Sequence, residues 1–130
     1  MYPESLLDHF RNPRNVGELA PPALMVEASN PACGDILRLS ARIENGAIAE
    51  ARFKVRGCTA SIAAGSALTE WLAGKTRRQL AQFEPGIVET AVGGLRPESK
   101  HAAILCADGV KLLSRAWHDS RPLLSEPDGS

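Results

Sequence analysis

Two cysteines, an aspartate and a histidine stand in this sequence where folded chains often expose reactive side chains. Cys33 and Asp35 lie in the turn-forming run Asn-Pro-Ala-Cys-Gly-Asp, and Cys58 follows a glycine at the end of a strand-like segment. His101 lies in the first turn of a predicted C-terminal helix. Two thiolates, a carboxylate and an imidazole suit zinc, ferrous iron or an iron–sulfur cluster. A thiol at a helix N-terminus is also biased toward its thiolate form.

These residue types alone leave other interpretations open, because the sequence contains no CxxC pair. A free cysteine often fills space in the core, Asp35 could stabilise its own turn, and His101 could lie on the surface. A Cys–His hydrolase, with Cys58 or Cys33 as nucleophile and His101 as base, would use the same groups. The sequence has no nucleophile-elbow motif, so the hydrolase is the least favoured interpretation.

Composition excludes several classes of protein. The chain has 130 residues, with 15 basic and 15 acidic side chains and no formal net charge. A neutral chain offers no global field to attract polyanions, so nucleic acid is not expected as a partner. No apolar run approaches the roughly 20 residues of a membrane span, and no signal peptide precedes the first helix. Three widely spaced cysteines make a poor disulfide framework, which predicts reduced thiols in the cytoplasm.

Hydrophobic periodicity predicts a single domain over residues 1–118, followed by a disordered tail at 119–130. A helix rich in small residues is expected after Cys58, packed closely on a sheet. The last helix is predicted to begin near Pro97 and to end at about Trp117.

Strict alternation predicts two antiparallel strands over 37–43 and 49–55, joined by an Asn-Gly hairpin. Residues 13–32 have no strong period and are predicted to form a loop. In the second strand, one face is expected to be buried and the other exposed to water rather than to a docked partner. The buried face is Ala49, Ala51, Phe53 and Val55, and the exposed face is Glu50, Arg52, Lys54 and Arg56.

Three segments resemble the IscU/NifU N-terminal family of iron–sulfur cluster scaffolds. They are 2–19 (YPESLLDHFRNPRNVGEL), 30–39 (NPACGDILRL) and 48–75 (IAEARFKVRGCTASIAAGSALTEWLAGK), in an ordered match that runs over about residues 2–117. The resemblance implies an α+β fold in which helices pack on a three-stranded antiparallel sheet, with a long C-terminal helix. It also implies that metal is bound at one exposed end, by Cys33, Asp35, Cys58 and His101.

The match fails at one functional position, since the family has a third cysteine directly after the histidine and this chain has Ala102. Cys106 follows four residues after Ala102. On a regular helix its side chain is rotated by about 40° from that of Ala102 and lies about 6 Å further along the axis. From His101 it is about 140° around and about 7.5 Å along, too far to share one metal with bonds of about 2.0–2.3 Å. Cys106 is therefore predicted to pack in the core, and at most to accept sulfur transiently or to be a weak ligand.

The resemblance implies a scaffold, not an enzyme, that binds iron and sulfide or a [2Fe–2S] cluster transiently and passes it to apo-proteins. A cysteine desulfurase would supply the sulfur, and the isolated chain could hold zinc. An alternative is a zinc-binding relative that binds or regulates a desulfurase, or relays sulfur, without building clusters. Glu98 and Ser99 replace residues of the family's chaperone-recognition stretch, which argues against docking of Hsp70-type and J-type chaperones. A monomer or weak homo-oligomer is expected.

Overall fold

The computed structural model describes residues 2–31 and 34–124, the last four of them as backbone only. This part of the chain contains five α-helices, one 3₁₀ turn and three strands. In chain order they are α1 (Glu4–Arg11), β1 (Leu24–Ser29), β2 (Ile36–Glu44), β3 (Ala47–Arg56), α2 (Thr59–Leu72), α3 (Arg77–Leu80), α4 (Pro85–Ala91), the 3₁₀ turn Pro97–Ser99 and α5 (His101–Leu124).

The strands form one antiparallel sheet in the order β1-β2-β3. The predicted hairpin joins β2 to β3, and its residues Asn45 and Gly46 have φ angles of 54° and 76°. Two successive positive φ angles are the requirement of a type I′ turn, which Asn-Gly meets at little cost. The α+β class and the antiparallel meander predicted from the sequence are confirmed.

β1 corrects the prediction of a loop over residues 13–32. Leu24 and Ala28 are buried, and Val26 lies half-buried between them. The strand has six residues, lies at the edge of the sheet and follows two prolines, so its alternation is too short to stand out in the sequence. The family resemblance, which implied a third strand, was the better guide here.

A bulge corrects the predicted orientation of Ala49. Ala41 pairs with Ala51, as alternation requires. Further along β2, Ile43 pairs with Ile48, so β3 has one extra residue between the two pairs. Ala49 is therefore exposed, and Ile48 is buried in its place. A bulge shifts the phase of alternation by one residue, which a period-two pattern cannot reveal.

Small residues bring two helices close to the sheet, as predicted for the helix after Cys58. A Cβ at Gly65 of α2 would lie 2.6 Å from the Phe53 ring, so only glycine allows this approach. A Cβ at Gly109 of α5 would lie 3.0 Å from Leu37 and Leu39. Both helices thus pack on the same face of the sheet.

Helix α5 continues to Leu124, beyond the end predicted near Trp117. Trp117 is fully buried and fixes the helix against the core. About two further turns follow it, and residues 118–124 carry no apolar periodicity that a sequence pattern could detect. None of the described helices, α5 included, is long and apolar enough to cross a membrane. The rest of the predicted tail, residues 125–130, lies outside the described part of the chain.

Candidate metal centre

Three element ends meet at one end of the sheet and bring three of the four predicted ligands together. Asp35 directly precedes β2, and Cys58 is the N-cap residue of α2. Ile36 pairs with Arg56 at the ends of their strands, which places Asp35 beside the chain entering Cys58. His101 is the first residue of α5.

The ligand atoms of Asp35, Cys58 and His101 all lie within 4.8 Å of one another. Cys58 Sγ is 3.4 Å from His101 Nε2 and 3.6 Å from Asp35 Oδ2. The His101 Nε2 to Asp35 Oδ2 distance is 3.4 Å. A tetrahedral ion with bonds of about 2.0–2.3 Å holds its ligand atoms about 3.3–3.8 Å apart. The three groups are therefore spaced as ligands of one ion would be.

The imidazole of His101 is oriented by its other nitrogen. Nδ1 lies 3.1 Å from the backbone oxygen of Glu98, which can only accept a hydrogen bond. Nδ1 therefore carries the proton in the neutral ring, and Nε2 keeps its lone pair toward Cys58 and Asp35. Glu98 belongs to the 3₁₀ turn Pro97–Ser99, so this turn fixes the tautomer that a metal requires.

Asp35 is 6% exposed and is held in its ionised form by hydrogen bonds. The hydroxyl of Ser61 donates to Oδ2 at 2.5 Å, and the backbone N–H of Cys58 donates as well. Burial is the largest single influence and acts to raise the pKa of Asp35. The hydrogen bonds from Ser61 and Cys58, with the nearby His101, outweigh it, and the pKa of Asp35 lies below its ordinary value. The centre therefore offers a carboxylate rather than a carboxylic acid.

Two residues that support the centre are not identified by the sequence reasoning. Ser61 contacts both Asp35 and Cys58 Sγ, the latter at 3.4 Å, yet a serine in the first turn of a helix carries no distinctive signal. Gly57 lies so close to the carboxylate that an added Cβ would be 2.6 Å from Asp35 Cγ. The glycine before Cys58 was the available signal, since glycine allows close approach of a backbone to a functional group.

Cys33, the fourth predicted ligand, lies outside the described residues. The loop around it is closed by backbone hydrogen bonds on either side: Gly34 N–H donates to Asn30 O at 2.7 Å, and Asn30 N–H donates to Asp35 O at 2.9 Å. Gly34 has a φ of 77°, which favours glycine there.

The two α5 positions at issue, Ala102 and Cys106, both lie in the interior. Ala102 is 0% exposed and Cys106 is 1% exposed, packed among core residues. Burial raises the pKa of the Cys106 thiol to about 12, so it is protonated at neutral pH. Among the described residues, Cys106 does not belong to the group whose ligand atoms converge.

A family model described as the NifU-like N-terminal domain matches residues 1–119 of the chain. Among curated proteins, the chain is 34% identical over 111 residues to iron-sulfur cluster assembly scaffold protein IscU 1 of Archaeoglobus fulgidus, covering 85% of this chain and 72% of that one. It is 33% identical over 127 residues to the scaffold protein IscU of Azotobacter vinelandii, covering 95% and 98%.

A solved structure confirms the fold. A Fervidobacterium islandicum protein, described as an iron–sulfur cluster assembly scaffold for the SUF system, superposes with a TM-score of 0.69. The match covers 87% of this chain and 96% of that one at 17% identity, a level that supports the fold and nothing further.

Proposed function

The chain belongs to the family of NifU-like N-terminal domains, and on that premise we propose that it is an iron–sulfur cluster assembly scaffold. It binds iron and sulfide, or a [2Fe–2S] cluster, transiently at Cys33, Asp35, Cys58 and His101 and transfers the cargo to apo-proteins. The observation that carries the proposal is the convergence of three ligand atoms within 4.8 Å, with the lone pair of His101 Nε2 facing inward. The relatives named as IscU scaffolds support the same function.

Each side chain has a distinct part in holding the cargo. Cys58 lies at the N-terminus of α2 and supplies the sulfur ligand. Asp35 supplies an anionic oxygen that Ser61 and the Cys58 N–H keep oriented. His101 supplies a neutral nitrogen in a fixed tautomer. Oxygen and nitrogen bind iron–sulfur cargo less firmly than thiolate does, which suits a protein that must release it.

Cys33 completes the proposed set as a second thiolate. It lies two residues before Asp35 in the sequence. Two residues of extended chain span at most about 7 Å, which is compatible with one site shared by Cys33 and Asp35.

A second candidate function is favoured by the interior of α5. Ala102 is fully buried where the family has its third cysteine, and burial keeps the Cys106 thiol protonated. In the second candidate, the chain holds zinc and binds or regulates a cysteine desulfurase, or relays sulfur, without building clusters.

The proposed partners follow from the scaffold function. A cysteine desulfurase supplies the sulfur, and apo-proteins receive the cluster, in the cytoplasm where thiols stay reduced. The chain itself carries cargo and catalyses no reaction, acting as a monomer or weak homo-oligomer. Glu98 and Ser99 argue against recognition by Hsp70-type chaperones.

Anaerobic reconstitution tests the two candidates. The protein is incubated with ferrous iron, cysteine and a desulfurase, and its visible absorption is recorded. The scaffold proposal predicts a coloured, oxygen-sensitive species that His101→Ala does not form. A protein that stays colourless and retains only zinc would contradict it.

Restoring the missing thiol separates the two candidates further. Under the scaffold proposal, Ala102→Cys changes the yield of coloured species little, because the existing ligands suffice. A large gain in cluster formation would show that the natural chain is deficient in assembly and would favour the zinc-binding alternative.

A further inference from the structure

The outer face of the sheet is electrostatically balanced at one end. Near the hairpin, Arg42 forms ion pairs with Glu44 and, at 3.6 Å, with Glu50. Arg52 forms a second pair with Glu50 at 2.7 Å. Both arginines at this end of the face are therefore neutralised by acidic neighbours of the same chain.

The other end of the same face, next to the metal centre, is not balanced. Lys54 and Arg56 are exposed and form no ion pair with any described residue. Arg38 lies directly opposite Lys54 in the sheet and pairs with Glu18 and Glu27 at 2.7 and 3.4 Å. Glu18 and Glu27 offset the charge of Arg38, so the excess positive charge at this end comes from Lys54 and Arg56.

These cations line a cavity of about 480 Å³ that also has apolar walls. We call it the basic cavity, and its lining residues are Glu27, Ile36, Arg38, Lys54, Val55 and Arg56. Two of its lining residues are close in sequence to residues of the metal centre. Ile36 follows Asp35, and Arg56 is separated from Cys58 by Gly57 alone.

The sequence predicted that this face meets water rather than a docked partner. We propose instead that the basic cavity docks an acidic segment of a partner protein and thereby holds that partner beside the metal centre. Carboxylates of the segment pair with Lys54, Arg56 and the exposed part of Arg38. An apolar side chain of the same segment packs on Ile36, which pairs with Arg56 on the same face and which a bare anion would leave uncovered. The significance of the location rests on the proposed scaffold function, whereas the binding itself does not.

An acidic peptide fits this surface better than a nucleic acid does. The chain has no net charge, and on the outer face of the sheet the exposed cations without an acidic partner among the described residues, Lys54 and Arg56, lie at one end only. Nucleic-acid surfaces instead carry an extended basic stripe that follows the phosphate backbone. A cavity with a few cations and apolar walls suits a short carboxylate-bearing segment.

The test is a titration of the ¹⁵N-labelled, zinc-loaded full chain with the peptide acetyl-Glu-Leu-Glu-Glu-amide, followed by NMR. We expect chemical-shift changes centred on the amides of residues 36, 38, 54 and 56. The double variant Lys54→Gln/Arg56→Gln should bind the peptide about tenfold more weakly. The matched double variant Arg42→Gln/Arg52→Gln, at the balanced end, should bind it as the natural chain does. Raising salt from about 50 to about 500 mM should also weaken binding.

Three results would overturn the proposal: shifts that map elsewhere, equal binding by the two double variants, or equal binding of the lysine counterpart of the peptide. Inorganic phosphate and an oligothymidylate are titrated in parallel. If either produces the same shifts with the same affinity, the surface is a general anion or nucleic-acid site instead. The peptide titration is repeated on metal-free Cys58→Ser, in which peptide binding should persist. Failure of metal binding and failure of docking are thereby separated.

Discussion

Helix α2 contributes to two serine-centred polar clusters, and only one of them brings together three candidate metal ligands. Ser61, near the N-terminus of the helix, contacts Asp35 and Cys58. Ser66, further along, lies 2.8 Å from Nδ1 of His9. Each cluster contains a histidine, a serine hydroxyl and a nearby carboxylate, so residue types alone do not distinguish them.

Hydrogen-bond direction distinguishes the two clusters. Ser66 Oγ accepts the backbone N–H of Arg14 at 2.8 Å and lies 2.8 Å from His9 Nδ1, to which its own proton can be donated. His9 Nε2 faces the Glu70 carboxylate at 3.6 Å, and this negative charge favours the ring proton on Nε2. In His101 the order is reversed, because Nδ1 donates to a carbonyl and Nε2 is the free acceptor.

The comparison shows that the hydrogen-bond partner of Nδ1 determines whether Nε2 keeps a lone pair that a metal can use. His9 has both nitrogens engaged within the chain and is 8% exposed, so it stabilises the fold. His101 presents a lone pair beside a thiol and a carboxylate, and its side chain is 26% exposed. The N-terminal motif that carries His9 is thus explained by packing on α2, not by metal binding.

Replacing each serine by alanine should give the largest difference between the two clusters. Ser61→Ala frees the Asp35 carboxylate, and metal affinity should fall about 10–100-fold, as for other groups that orient a ligand. Ser66→Ala should leave metal affinity unchanged and lower the free energy of unfolding by about 1–3 kcal/mol, because the Arg14 N–H and His9 lose their partner. Zinc competition titration and urea unfolding measure the two quantities. Equal effects of both variants on metal affinity would contradict the assignment.

A smaller effect is expected from Gly57→Ala. The new Cβ would meet the Asp35 carboxylate at 2.6–2.9 Å, so the carboxylate must move, and zinc affinity should fall about tenfold. Gly86→Ala is the matched control because it is also a glycine-to-alanine change. Gly86 lies in helix α4, and a Cβ there would meet no atom within 4 Å. Zinc affinity equal in the two variants would show that the position of Asp35 does not matter.

The smallest expected effect is a pH dependence that arises from the His9 cluster. Burial, reinforced by the positive charge of Arg14, lowers the pKa of His9, while Glu70 and Asp8 act in the opposite direction. The unfolded chain therefore binds the proton more readily, and stability present above about pH 6.5 is lost as pH falls toward the lower folded pKa. Unfolding of the metal-free protein is measured between about pH 7.5 and about pH 5.5.

The His9→Gln variant should show a flatter profile than the natural chain. His118→Gln changes an exposed helix position and should leave the profile unchanged. A profile equally steep in the His9 variant would show that the lost stability comes from other groups.

The sequence was sufficient to predict that three candidate ligands at element ends lie together. A turn before a strand, a residue before a helix and the start of another helix can meet at one end of a small sheet, as Asp35, Cys58 and His101 do. The hairpin was equally predictable, because Asn-Gly between two alternating segments favours the positive φ angles of a two-residue hairpin turn.

The other features of the fold and of the site depend on tertiary contacts, which the hydrophobic pattern of the sequence does not encode. The role of Ser61 follows from the position of Asp35 across the sheet end, and the direction of the Ser66 hydrogen bond follows from the loop at Arg14. The exposure of Ala49 follows from a bulge in β3. Helix α5 continues beyond the buried Trp117 to Leu124, where the sequence has no apolar periodicity. Cys33 stays a prediction, since it lies outside the described residues.

Iron and acid-labile sulfide analysis of anaerobically isolated protein tests the central claim most directly. The natural chain and Cys106→Ala, which alters only a buried thiol, should both carry iron and sulfide. Cys58→Ser, which removes the sulfur atom of the convergent set, should carry neither. Zinc alone in the natural chain, or equal loss of iron and sulfide in the two cysteine variants, would contradict the assignment of this centre as the binding site of the cargo.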